Sequence, residues 1–227
     1  METAWENPIA RCSDGSAEYM ICRHSQRVQP RSLPIDPSSL QSLIRQRRSI
    51  KPSQFLERRI PDEIVEELLD NANWAPTHGM TEPWRFFVFC DDGRERVSRQ
   101  LAEIYRTITP VETQKPGKAD KLMDSCRRSS HVIVIGLHRQ RSEKIPELEE
   151  IEAVACAVQN LHLTATAHGL GGYWSSGKAI CSKQFRDFVG LQAPDRVLGL
   201  FYLGYPSGDW PDGTRTPAAN KVQWHDS

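Results

Sequence analysis

From residue 36 onward the apolar positions recur with clear periods. Asp36-Pro37-Ser38 can open a helix, and Leu40, Leu43 and Ile44 follow at i, i+3, i+4 spacing. "IPDEIVEELLDNANW" predicts a second helix: Pro61 suits its first turn, Asp62 and Glu63 suit the dipole there, and Ile64, Leu68 and Ala72 form one face. Pro76 biases Ala75 away from helical angles, so this helix should stop at Trp74. "WRFFVFC", "HVIVIGL" and "VLGLFYLGY" are short, nearly continuous apolar runs, as buried strands require. Further helices are expected over "GRERVSRQLAEIY", "ADKLMDSCRRSS", "SKQFRDFV" and the Ala-rich "ELEEIEAVACAVQNLHLTATAHG", where Gly169 supplies the cap. Residues 1–35 show no sustained period and read as an irregular extension; residues 36–227 read as one layered α/β or α+β domain. No G-x-G-x-x-G follows a strand, which argues against a dinucleotide-binding Rossmann unit.

Charge and cysteine usage narrow the function classes. Lys+Arg balances Asp+Glu at 29 each, so no overall field favours nucleic acid or an acidic membrane. No apolar run approaches the ~20 residues of a membrane helix, and the first residues lack an apolar signal core. Arg11, Arg23, Arg27 and Arg31 are offset by Glu2, Glu6, Asp14 and Glu18, against a transit segment. The six cysteines form no C-x-x-C and are expected as free thiols in a reducing, cytoplasmic setting, with Cys90 and Cys156 buried. Cys22-x-His24 has no second ligand pair beside it, so no metal is expected.

The stretch "GLGGYWSSGKAI" carries most of a phosphate-loop pattern, G-x-x-x-x-G-K-[ST]. It fails on two grounds. Ala179 stands where a hydroxyl should hold Mg²⁺, and the motif follows a long helix rather than a strand. Two readings remain: a helix cap leading into an edge strand, or a Gly-rich turn whose amides, with an aromatic side chain, cover a flat ligand.

Elsewhere, "RQRRSI" places Arg47, Arg48 and Ser49 after the first helix. Arginine forks match phosphate oxygens, and basic residues also suit a helix C-terminus. "NWAPTHGMTEPWRF" sets Trp74 and His78 in a proline-fixed loop, where His78 could donate to a carbonyl or phosphate, and Trp84 reads as core. His131, His162 and His168 read as structural. No nucleophile constellation is present, so an enzyme built on this chain would borrow its chemistry from a cofactor.

Three segments in order resemble one family. "RRSIKPSQFLERRIPDEIVEELLDNANWAPTHGMTEPWRFFVF", "ACAVQNLHLTATAHGLGGYWSSG" and "VLGLFYLGYP" are similar to the opening, central helix-and-turn, and late strand of the nitroreductases, in particular the small YdjA-type branch. The resemblance implies an α+β fold with a mostly antiparallel sheet flanked by helices. It also implies an intertwined homodimer with FMN at the subunit interface. The activity implied is NAD(P)H-dependent reduction of a nitroaromatic, quinone or similar acceptor through the flavin. Carried over by position, Arg47, Arg48 and Ser49 would hold the FMN phosphate and ribityl chain. Trp74 and His78 would contact the flavin, reaching across from the partner subunit, and Trp174, Ser175 and Ser176 would lie against its ring. Arg215 would be a further phosphate contact, and Lys121 would stand near the flavin's polar edge. The YdjA-type branch usually has Arg at the positions of Trp74 and Ser175, so the resemblance implies less positive charge here. A flavin-fragmenting enzyme like the dimethylbenzimidazole synthases and a non-catalytic flavin sensor remain the alternatives.

Overall fold

The structure is a computed structural model that describes residues 36–225; the expected extension over 1–35, with Cys22 and His24, lies outside them. Four strands form one fully antiparallel sheet: β1 (Trp84–Phe89), β2 (His131–Leu137), β3 (Gly171–Ser175) and β4 (Arg196–Gly204), in the order β1-β2-β4-β3. Three of these match the apolar runs in the sequence. The fourth, β3, lies inside "GLGGYWSSGKAI". Six helices accompany the sheet: α1 (Pro37–Gln46), α2 (Asp62–Asn73), α3 (Asp91–Ile108), α4 (Lys118–Arg128), α5 (Glu147–Ala167) and α6 (Lys183–Phe188). The architecture is the expected α+β fold.

The two-residue period of β2 explains why its sequence is apolar from Val132 to Leu137. Ile133, Ile135 and Leu137 join a core with Leu68 and Ala72 of α2 and Val154, Ala157 and Leu161 of α5. Val132 and Val134 join the opposite core, with Val97 and Leu101 of α3, Leu122 and Cys126 of α4, and Phe185 of α6. A strand covered on both faces has no position for a polar side chain. The result is three layers, with α2 and α5 on one face and α3, α4 and α6 on the other.

Helix α5 ends as its glycine foretells. Gly169 has φ +68°, its amide donates to the Thr166 carbonyl at 3.0 Å, and Leu170 donates to Ala165 at 2.8 Å. This paired closure requires a left-handed residue, which glycine adopts without strain. At the other end, the buried Glu150 pairs with the buried Arg139 and tethers the first turn of α5 to the segment leaving β2. His131 is buried as expected, bridging the Ser130 hydroxyl at 3.0 Å and Asp62 at 3.3 Å.

Two expectations need correction, both on cysteine burial: Cys90 is only half-buried where β1 ends. Cys156 is exposed, because the buried stripe of α5 runs through Ala153, Val154, Ala157 and Val158 and leaves position 156 outside it. Helix α1 buries none of its residues: Leu40 is 48% and Ile44 51% exposed, so its apolar stripe has no cover within the described residues.

Candidate functional site

Where α1 ends, the chain turns extended and delivers three consecutive polar residues. Arg47 caps the helix, its amide donating to Leu43 at 3.1 Å. Ser49 then forms a parallel bridge to Gly172 on the outer side of β3, and the Ile50 amide donates to the Gly172 carbonyl at 3.0 Å. From α5, His162 Nε2 donates to the Arg48 carbonyl at 2.9 Å and fixes the peptide between the two arginines and the serine. The Arg48 guanidinium is held in turn, with Nε donating to the Pro211 carbonyl at 2.9 Å. Gly213 lies directly on that guanidinium; a Cβ there would come within 2.2 Å of Arg48 Cζ, so any other residue would displace the guanidinium from this position.

These contacts gather Arg47, Arg48 and Arg215, with Gln159 of α5, around a cavity of about 660 Å³. Among the described residues, no carboxylate lies within 4.0 Å of any of the three arginines. Burial, and then the neighbouring charges of Arg215 and Arg48, push the Arg47 guanidinium below its ordinary pKa. Like charges crowded together without a counter-ion are unfavourable alone and suited to an anion with several oxygens.

Strand β3 leads away from this cluster. Its first residues meet Ser49 and Ile50. Its last, Ser175, opens with Ser176 and Gly177 onto a second cavity of about 640 Å³, whose wall includes Lys121 and Leu122 of α4 and Tyr105 of α3. Four residues from Gly172 to Ser176 span roughly 13 Å at ~3.3 Å each. The two cavities therefore occupy opposite ends of one edge strand. "GLGGYWSSGKAI" is thus a helix cap followed by an edge strand, and only Ser176 onward leaves the sheet. Trp174 pairs with Phe201 and lays its indole over Gly199, where a Cβ would come within 2.2 Å of Nε1. Ala179 is buried in the core, a role that needs no hydroxyl.

The expected residues thus divide. Arg47, Arg48 and Arg215 line the first cavity, and Ser49, next in the chain, is bridged to Gly172 of β3; Ser175, Ser176 and Lys121 meet at the second. Trp74, His78 and Trp174 line neither. Trp74 stands 81% exposed at the end of α2, and His78 Nδ1 lies 2.6 Å from Glu149 Oε2 in the first turn of α5. The loop between them and β1 holds Met80 at φ +53° and Glu82 at φ +43°, left-handed values that cost a side-chain-bearing residue energy. Gln159, Gly213, Lys115, Lys118 and Lys178 escaped the sequence reading. Gln159 had one signal, a polar residue inside an Ala-rich helix; Lys178 was set aside with the rejected phosphate loop.

The nitroreductase family model matches residues 44–205, more than two thirds of the chain. The chain belongs to the nitroreductase family. It is 30% identical over 172 residues to "Putative NAD(P)H nitroreductase YdjA" of Escherichia coli (strain K12), covering 74% of this chain and 88% of that one. Among solved structures it resembles a nitroreductase-like family protein from Bacillus cereus, with a TM-score of 0.74, 26% identity, and coverage of 85% of this chain and 99% of that one. A second, described as a putative nitroreductase in complex with FMN from Desulfovibrio desulfuricans, has a TM-score of 0.61 and 25% identity, with coverage of 85% and 99%.

The family match includes Arg47, Arg48, Ser49 and the turn after β3, and stops before Gly213 and Arg215. The charge expected to be missing at Ser175 is supplied nearby by other residues of this nitroreductase, since Lys121 and Lys178 border the same cavity.

His162 gives the site a pH signature. Burial, followed by the Arg47 charge, lowers its pKa from 6.5 to about 4. The imidazole stays neutral in the folded state while the unfolded chain protonates, so its contribution is complete above pH 6.5 and is lost as pH falls toward 4. A difference of this size is worth up to about 3 kcal/mol. Urea unfolding of wild type and His162→Gln should show a stability gap at pH 7.5 that shifts by about 2–3 kcal/mol against wild type at pH 4.5. A gap that does not change with pH would show that the imidazole does not titrate as described.

Proposed function

We propose that the chain is an FMN-dependent NAD(P)H oxidoreductase that reduces nitroaromatic, quinone or similar acceptors. The observation that carries this reading is the pair of cavities joined by β3, with three carboxylate-free arginines at one end and an apolar, amine-bordered chamber at the other. FMN has matching chemistry: a phosphate dianion, a hydroxylated chain and a flat ring. The fit test is electrostatic. Burial, and then the like charges of Arg215 and Arg48, depress the Arg47 pKa, and a phosphate would offset both in a way that little else among the described residues offers.

Arg47, Arg48 and Arg215 would hold the phosphate, with Gln159 adding an amide donor. Ser49 would contact the ribityl chain where it bridges Gly172. Ser175, Ser176 and Lys121 would face the ring, placing donors and a positive charge where electron density builds during transfer. Bound there, FMN supplies two-electron hydride transfer from NAD(P)H to the second substrate. For a nitro compound the balanced first reduction is R–NO₂ + NAD(P)H + H⁺ → R–NO + NAD(P)⁺ + H₂O, with the proton drawn from solvent. No side chain near the second cavity need act as a general acid.

A homodimer belongs to the same reading. The uncovered stripe of α1, Trp74, and Met80 at 76% exposure offer apolar surface for a second copy. Such a partner would let Trp74 and His78 reach a flavin that their own protomer keeps from them. Cytoplasmic residence, and the division into an N-terminal extension over residues 1–35 and a domain over 36–227, belong to the same proposal.

The purified protein should be yellow, carry about one FMN per chain, sediment as a dimer and oxidise NADH or NADPH when a nitroaromatic or quinone is added. A colourless protein that takes up no FMN on incubation would overturn the reading. Flavin binding without acceptor-dependent turnover would favour a sensor.

A further inference from the structure

The second cavity has more positive charge than flavin contact requires. Besides Lys121, it is bordered by Lys115, Lys118 and Lys178, and no carboxylate lines it. Among the described residues, none of these four amines lies within 4.0 Å of an acidic group. The floor is apolar, formed by Leu122, Ala179 and Ile180, all three in the core of that face.

The wall carrying the amines is pre-set. The Tyr105 hydroxyl accepts from the Lys115 amide at 2.8 Å, and the Gln114 side chain clamps the carbonyls of Arg106 and Thr109 at 3.1 and 3.0 Å. The segment therefore presents Lys115 and Lys118 from a fixed turn. A ring of unpaired amines over an apolar floor suits a molecule with a flat hydrophobic body and a negative substituent at its rim. A neutral aromatic would fill the floor and leave the amines unanswered.

We propose that this cavity selects aromatic acceptors bearing an anionic group, such as a carboxylate or sulfonate, over neutral ones of the same shape. The inference rests on the oxidoreductase reading only in making the bound molecule an electron acceptor. The anion sits among Lys115, Lys118 and Lys178, and the acceptor's ring lies over Leu122 and Ile180, against the flavin that Ser175 and Ser176 would face. Exposed pairs are individually weak, so the selectivity is collective and amounts to about tenfold.

The test compares 4-nitrobenzoate with 4-nitrobenzamide, which share a ring and differ in charge. Dissociation constants are measured by calorimetry on the flavin-loaded protein, and turnover of both compounds is followed in parallel. The acid should bind about tenfold more tightly at low salt, with the preference shrinking as ionic strength shortens the screening length. In the Lys115→Gln/Lys118→Gln protein the ratio should fall toward one. Both residues are exposed, so the fold should survive, and the salt series on wild type provides a reading that needs no variant. Equal affinities, or a preference indifferent to salt and to both substitutions, would overturn the proposal. Tighter binding of the acid with no reduction of either compound would count against the flavin reading and leave the selectivity standing.

Discussion

Replacing Arg47 and Arg215 together by Ala should strip FMN from the purified protein. Each guanidinium contact to a phosphate is charge-assisted and worth about 1.5–3 kcal/mol, which puts the loss of affinity for the pair at about 10²–10⁴-fold. The apo protein should behave in the opposite sense. Three arginines crowd one cavity without an acidic partner among the described residues, and burial and like charge already depress the Arg47 pKa. Removing two of them relieves that repulsion, so the flavin-free variant should melt no lower than flavin-free wild type. Equilibrium dialysis against FMN measures the first effect, and calorimetry of both apo proteins the second. Arg47→Lys should fall between, since an ammonium keeps the charge and loses the fork. Retention of FMN by the double variant would remove the phosphate assignment. A large drop in apo stability would mean that the arginines are structural.

The second large effect concerns the far end of α5. Glu150 is 1% exposed and Arg139 8%, and the carboxylate also accepts from the Gln140 amide at 3.3 Å. Glu150→Ala leaves a guanidinium buried without its counter-charge, at a cost of about 3–5 kcal/mol. In a domain of this size the melting temperature should fall by roughly 10 °C or more. The Arg139→Met/Glu150→Leu protein should recover most of the loss, because an apolar pair of similar volume carries no desolvation penalty. Urea and thermal unfolding of the three proteins check this. A double variant as unstable as the single one would show that the pair does more than neutralise itself. Since α5 also carries Gln159 and His162, flavin affinity should fall along with stability in Glu150→Ala.

The sequence made the fold legible where the periods were strong. β2 could be read directly because both its faces are buried, and α5 because its stripe and its capping glycine agree. β3 was harder to see: its five residues, Gly-Gly-Tyr-Trp-Ser, carry two glycines, and its place is decided by pairing with β4, a contact that local pattern does not encode. The site follows the same division. Arg47, Arg48 and Ser49 are contiguous and could be read as a unit. Gly213 and Gln159 matter because the tail and α5 converge on Arg48, and no spacing in the chain announces that convergence. The lysines of the second cavity were visible as residues and unreadable as a group, since Lys178 joins Lys115, Lys118 and Lys121 only through packing of the turn after β3 against α4.

Arg48 and Pro211 are separated by 163 residues, yet one donates to the other, and Gly213 rests on the same guanidinium. A pocket closed by so distant a segment is a late arrival in folding, because the loop it shuts must already be shortened by the sheet and helices between its ends. The arginine cluster then forms on a nearly finished scaffold. A cofactor bound there would act as a kinetic lock: it would slow escape from the native state and leave the first steps of collapse to the apolar strands.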